Sequence, residues 1–258
     1  MKYYVVDAFS EQIFGGNPAG VCIMEEWLSE SLMQKIASEN NLAETAFVVK
    51  KGEGFQIRWF TPECEIDLCG HATLASAYIL NRFVEPKLQN ICFNSKSGIL
   101  TVTVKEDVLT MDFPSRMPNK LEQYEDIEAL LGVKIKEAYL LRDLMVVVEN
   151  EEVVRNFVPE FEKIKKIQKG DGVIITAKGD ECDFVSRFFY PTGGINEDPV
   201  TGSAHCNLIP YWAEKLGKTK MNAKQLSKRG GKLYCEFEGE RVKISGRASL
   251  YMVGEIFI

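Results

Sequence analysis

The sequence predicts an α+β protein built as two similar halves. At 258 residues the chain exceeds the usual single-domain size of roughly 100–150. A strand–turn–strand–Pro–acidic loop–helix order occurs twice along it. The composition, 45% hydrophobic and 26% charged, is ordinarily globular and sufficient for a sizeable core without disulfides or metals.

Each element has a local reason. Residues 3–9 and 20–24 alternate or run apolar and read as strands, separated by the loop signals of Phe14-Gly15-Gly16-Asn17-Pro18-Ala19-Gly20. Ser29 caps a predicted helix with Leu32, Met33, Ile36 and Ala37 on one face, and Asn40-Asn41 terminate it. Glu44 falls between that helix and the next strand. Ala46–Lys50 and Gly54–Phe60 flank Lys51-Gly52-Glu53 as a hairpin that ends at Thr61-Pro62. From Gly70 to Leu80 the chain is rich in Ala, Thr and Ser, the pattern of a helix pressed close against a sheet. Strands near 90–94, 98–105 and 108–113 follow, and Pro114 to Pro118 reads as a linker. The second half repeats the pattern: Val173–Thr176, Lys178-Gly179-Asp180, Phe184–Phe189 and Tyr190-Pro191 answer Ala46–Val49, Lys51-Gly52-Glu53, Phe55–Phe60 and Thr61-Pro62. Asp67-Leu68-Cys69-Gly70-His71 and Asp198-Pro199-Val200-Thr201-Gly202-Ser203 then open the two central helices. Ser95–Leu100 has an echo in Ser227–Leu233.

Charge and cysteine usage exclude several classes. A net charge of −6 argues against non-specific attraction to nucleic acid or an anionic membrane. No run approaches the ~20 apolar residues of a membrane span, and the N-terminus reads as a strand, which points to a cytoplasmic protein. Seven scattered cysteines without a CxxC pair suit reduced thiols better than a disulfide scaffold. Cys64, Cys69, His71 and Cys206 do not have zinc-site spacing, and Gly15-Gly16 and Gly193-Gly194 lack nucleotide-loop spacing.

The chemistry concentrates at the two helix starts. Backbone N–H groups at a helix N-terminus bind carboxylate or phosphate without a charged side chain, and Gly70 and Gly202 permit close approach, so two facing starts would hold a small anion in an interdomain cleft. Equally, both glycines serve tight turns ahead of packed helices. His71 and His205, the only histidines, fall in these motifs, His205 a turn into its helix where it can face the core. Asp198 and Ser203 offer a carboxylate and a hydroxyl there, although Ser203 also suits a helix cap. Glu44 lies among apolar neighbours, where burial raises a carboxyl pKa toward the range of a general acid/base; an exposed edge-strand Glu would read the same. Cys69 and His71, two apart at a helix start, are expected to point in different directions, which argues against a Cys-His hydrolase.

Four motifs in order carry a resemblance: Phe14 to Gly20, Asn41-Leu42-Ala43-Glu44-Thr45-Ala46-Phe47, Phe60-Thr61-Pro62 through Asp67-Leu68-Cys69-Gly70-His71-Ala72-Thr73, and Asp198 to Ala204. Together, and from Asp7 to the last strand, the chain resembles the PhzF-like family of phenazine biosynthesis. The resemblance implies a diaminopimelate-epimerase-like fold of two pseudo-symmetric domains, residues 1–115 and 116–258, each a curved, mostly antiparallel sheet around a central helix, with the last strand, 250–258, returning to the first. It implies a homodimer acting on a small anionic substrate with no metal or organic cofactor. In the phenazine enzyme the Glu matching Glu44 shuttles a proton on one face of a dihydro-hydroxyanthranilate. By that likeness Glu44 is the acid/base, His71 and Asp198 orient the substrate or relay protons, Gly70, Gly202 and Ser203 bind it, and Asn17 is a further contact. Epimerases and racemases of this fold place a cysteine at each helix start, whereas this chain has Cys69 at one and Thr201 at the other. One-base transfer by Glu44 is therefore preferred over two-base racemisation. A Cys69-assisted epimerase and a non-catalytic small-molecule binder stand as alternatives.

Overall fold

The computed structural model describes residues 1–258. The chain divides into two compact units, Met1–Asp112 with Ser245–Ile258, and Phe113–Ile244. No helix is long and apolar enough to cross a membrane.

The first unit begins with β1 (Lys2–Ala8) and β2 (Asn17–Met24), antiparallel to each other. The tight connection between them requires glycine at position 16: its φ is +63°, and a Cβ would lie 2.1 Å from the Ala8 carbonyl oxygen. Helix α1 (Glu30–Asn40) is capped by Ser29, whose side chain accepts the Leu32 N–H, and ends at Asn41 in the left-handed conformation. Glu44 opens β3 (Glu44–Lys51), which runs parallel to β2 and antiparallel to β4 (Gly54–Phe60). The short β5 (Glu65–Ile66) pairs with the end of β4. Helix α2 (Gly70–Ile79) is buried on almost every side and packs on β1, β2 and β3. Its Ala-, Ser- and Thr-rich sequence gives the sheet that close approach, since larger side chains would hold the backbones apart. A π-helical turn, Leu80–Val84, ends it with the Glu85 N–H on the Leu80 carbonyl. Then come β6 (Asn90–Ser95), parallel to β4, β7 (Gly98–Lys105) and β8 (Val108–Pro114).

The second unit repeats this ladder. After β9 (Asn119–Leu121) and α3 (Glu125–Leu131), β10 (Glu137–Leu140) pairs antiparallel with β9 and with β11 (Leu144–Val147). The short helices α4 (Glu151–Asn156) and α5 (Phe161–Ile164) precede β12 (Val173–Lys178), which is parallel to β11 and antiparallel to β13 (Phe184–Tyr190). β14 (Ile195–Asp198) folds back on β13 as β5 does on β4. Helix α6 (Gly202–Leu216) follows, then β15 (Lys220–Gln225), parallel to β13, β16 (Gly231–Glu238) and β17 (Arg241–Gly246). Pro210 lies inside α6 and cannot donate to the Cys206 carbonyl; the Arg116 N–H takes that place at 2.9 Å. The closing strand β18 (Ala248–Glu255) pairs antiparallel with β1 along its length.

The duplication extends to side chains. Arg58 on β4 donates to Glu65 beside the Phe60 ring, and Arg187 on β13 donates to Glu197 beside the Phe189 ring, each first contact at 2.7 Å. With Phe60 and Phe189 equivalent, Val173 corresponds to Thr45, one residue from the alignment read in the sequence. The offset arises in the hairpin connections, which span Gly52-Glu53 in one unit and Gly179 to Asp183 in the other. The fold is a sheet-dominated α+β architecture in which the second unit repeats the strand order and central helix of the first.

Candidate active site

In the first unit the site assembles where β2, β3 and α2 begin. Asn17 is the first residue of β2 and Glu44 the first of β3, and Ala19 lies beside Glu44 in the parallel ladder. Cys69 is the N-cap of α2, extended at φ −140°, ψ 113°, and its side chain makes no capping bond. His71 is the second residue of the helix. All four side chains are buried: Asn17 is 0%, Glu44 7%, Cys69 6% and His71 6% exposed.

The imidazole meets a thiol through one ring nitrogen and a carboxylate through the other. His71 Nδ1 lies 3.5 Å from Cys69 Sγ and 3.2 Å from Asn17 Nδ2, while Nε2 lies 3.1 Å from Glu44 Oε2. The last distance is that of an ion pair, but the groups are not aligned as a hydrogen bond, and neither Nε2 nor Oε2 has another hydrogen-bond partner. The expectation that Cys69 and His71 diverge is thus wrong. That expectation used helical spacing, and Cys69, as an extended N-cap, does not lie on the helix. Burial alone would lower the His71 pKa, but the neighbouring Cys69 and Glu44 outweigh it and raise it well above the usual imidazole value. Burial first, and the Glu44 charge second, raise the Cys69 thiol, with His71 opposing. Asn17 Nδ2 can donate to Nδ1 only while that nitrogen carries no proton; a half-turn of the amide presents its oxygen to a protonated ring. Glu44, Cys69 and His71 each bring one potential metal-ligand atom within 4.8 Å of the others.

The second unit has its own polar helix start. Thr201 is the N-cap of α6, and its hydroxyl donates to Asp198 Oδ2 at 2.5 Å. Gln225 locks the turn: its Oε1 accepts the Thr201 N–H, and its Nε2 donates to the Asp198 carbonyl and to Thr201 Oγ1. Gly202 is buried as the first helical residue. Ser203 is not a cap; its hydroxyl accepts from Arg142 Nη2 at 3.0 Å. Arg142 also binds the Asp143 carboxylate, which is 1% exposed and accepts the Gly172 N–H. His205 lies in the core at 0% exposure, its ring against Phe184 and Nδ1 donating to the Thr201 carbonyl at 2.7 Å. Burial pushes its pKa down to about 4. Thr73 makes the same bond to Cys69 in the first unit, so the histidine equivalent by position to His71 is replaced by Ser203.

The structure therefore brings Asn17, Glu44, Cys69, His71 and the Gly70 helix start together, and separately Asp198, Thr201, Gly202 and Ser203. Arg142 is a charged neighbour of the second start that sequence reasoning missed. Its only local signal, Arg142-Asp143 between two apolar strands, is what an ordinary surface turn shows.

A family model described as phenazine biosynthesis-like protein matches residues 6–254. An uncharacterized isomerase of Pseudomonas aeruginosa is 48% identical over 99% of this chain and 98% of its own. The crystal structure of a PhzF-family phenazine biosynthesis protein of Enterococcus faecalis superposes with a TM-score of 0.98 at 52% identity, covering 100% of this chain and 99% of that one. A hydroxyproline epimerase from Agrobacterium vitis, at 10% identity and a TM-score of 0.61 over 98% of this chain and 91% of its own, shares the fold alone.

Proposed function

This chain belongs to the phenazine biosynthesis-like, PhzF-type family of isomerases, and from that premise we propose that Glu44 is the general acid/base that moves a proton on a small carboxylate-bearing substrate. The observation that carries the reading is the buried Glu44 carboxylate 3.1 Å from the His71 imidazole, with neither facing atom otherwise hydrogen-bonded in the protein. A buried polar atom left without a partner costs about 1–3 kcal/mol. Such a cost is tolerable where a ligand completes the site.

In this reading Glu44 takes a proton from a carbon next to an electron-withdrawing group and returns it elsewhere on the same molecule. His71 steadies the carboxylate through charge, and Asn17 holds the ring. The chemistry is redox-neutral and needs no electron carrier. The Gly70 helix start, with N–H groups uncapped by a side chain, suits the substrate carboxylate. Asp198, Gly202 and Ser203, with Arg142 on the Ser203 hydroxyl, form a polar set of their own in the second unit, to which we assign anion binding.

The test is a screen of cyclic and amino-acid carboxylates in deuterated water, with mass detection of deuterium uptake. Wild-type protein should exchange deuterium into at least one of them, and Glu44→Gln should lose this by roughly a hundredfold or more. Exchange that persists undiminished in Glu44→Gln would refute the assignment.

A further inference from the structure

The distance between two groups in the first unit carries an inference that rests on the isomerase reading and goes past it. Glu44, Cys69 and His71 bring one oxygen, one sulfur and one ring nitrogen within 4.8 Å of one another. Inverting a single carbon requires a base and an acid on opposite faces, each about 3–3.5 Å from that carbon and therefore roughly 6–7 Å apart. The Glu44 carboxylate and the Cys69 thiol are too close for that. They suit two nearby positions on one face of a flat substrate. We propose that Cys69 is a second catalytic group, donating the proton that completes a same-face transposition begun by Glu44, on a carboxylate whose two reacting positions share one conjugated system.

Cys69 is equipped as an acid. Its sulfur is not used to cap the helix, and burial together with the Glu44 charge keeps its proton in place near neutrality. Once that proton leaves, the thiolate is 3.5 Å from His71 Nδ1 and stands at a helix N-terminus, two features that favour negative sulfur. The thiol thus holds its proton at rest and is stabilised after giving it up.

The step balances. Glu44 takes the proton as the substrate C–H bond breaks and an O–H bond forms, and the released electron pair spreads through the conjugated system. The Cys69 S–H bond then breaks as a C–H bond forms at the second position, its electron pair staying on sulfur. The substrate leaves isomerised, Glu44 protonated and Cys69 as thiolate. Water takes the proton from Glu44 and returns one to sulfur between turnovers. No oxidant or reductant enters.

The experiment uses the whole chain in deuterated water with the same panel of cyclic and amino-acid carboxylates. Deuterium uptake and isomer formation are followed separately by mass spectrometry and NMR in wild type, Glu44→Gln, Cys69→Ala and Cys69→Ser. Both Cys69 variants should still exchange at the position Glu44 deprotonates, which also shows that they are folded. Their isomer formation should fall by roughly a hundredfold or more, the lower end of a general acid's contribution. Wild-type isomer formation in Cys69→Ala overturns the proposal and leaves the Glu44 reading intact. So does an equal loss of exchange and isomer formation in both Cys69 variants, which would make Cys69 a structural residue. Products inverted at one carbon likewise overturn it. Undiminished exchange in Glu44→Gln fails the Glu44 reading instead, and a wild-type protein that exchanges with nothing in the panel counts against both.

Discussion

Acidification should destabilise this protein through His205 before most carboxylates titrate. In the folded chain the ring is fully buried, donates from Nδ1 to the Thr201 carbonyl and has no partner for Nε2. Protonating Nε2 would place a charge in the core beside Phe184, and the pKa falls from 6.5 to about 4. Unfolded chains regain the ordinary value, so between these two pKa values the unfolded state binds more protons and stability rises with pH. Read downward, stability is lost from near pH 6.5, and the loss levels off near pH 4. At about 1.36 kcal/mol per pH unit the whole effect is roughly 3 kcal/mol. Urea unfolding followed by tryptophan fluorescence, at intervals from neutral pH to the carboxylate range, would measure it for wild type and His205→Gln. Gln keeps an N–H donor for Thr201 but does not titrate. His71, whose raised pKa acts in the opposite sense, is present in both proteins and cancels in the comparison. The wild type should lose roughly 3 kcal/mol more than the variant over this window. Parallel pH profiles, or a wild type that gains on the variant as the pH falls, would refute the burial argument.

Other consequences follow from packing. Arg187 is 8% exposed and serves Glu197 and the carbonyls of Val154 and Phe157, so Arg187→Met should cost about 3–5 kcal/mol in urea unfolding by stranding those acceptors. A loss under about 1 kcal/mol would place this pair with ordinary surface ion pairs. Gly16→Ala should cost about 1–3 kcal/mol, because φ there is +63° and the added methyl meets a backbone oxygen that cannot turn aside; an unchanged unfolding midpoint would contradict this. With a thiol reagent on the native protein, exposed Cys64 and Cys92 should react first, and buried Cys22, Cys206 and Cys235 only on unfolding. Peptide mapping of the labelled protein would expose any other order.

Local chemistry made much of this fold legible. Ser29 and Asn41 bound α1 where capping rules put its ends, and the small residues after Gly70 do form a helix buried on nearly all sides. Pro114 and Asn119 bracket the short connection read as a linker. Strand starts were less legible: Asn17-Pro18 belong to β2 rather than to the loop before it, because pairing with β1 overrides their turn preference. Within the site, the motif residues were visible but their contacts were not. Asn17 meets His71 across 54 positions of sequence, and Arg142 meets Ser203 across 61.

By itself, then, the sequence determined the repeated strand–helix order, the two helix starts and the residue types they carry, because periodicity, caps and turns act over a few neighbouring residues. Only the tertiary structure decided which of those residues touch. It turned Cys69 and His71 toward each other through one extended N-cap, set the Glu44 carboxylate against the ring's other nitrogen through a parallel strand pair, and buried His205 against Phe184. Side-chain direction at a helix start depends on dihedrals that the packed sheet imposes, and no spacing rule along the chain contains them.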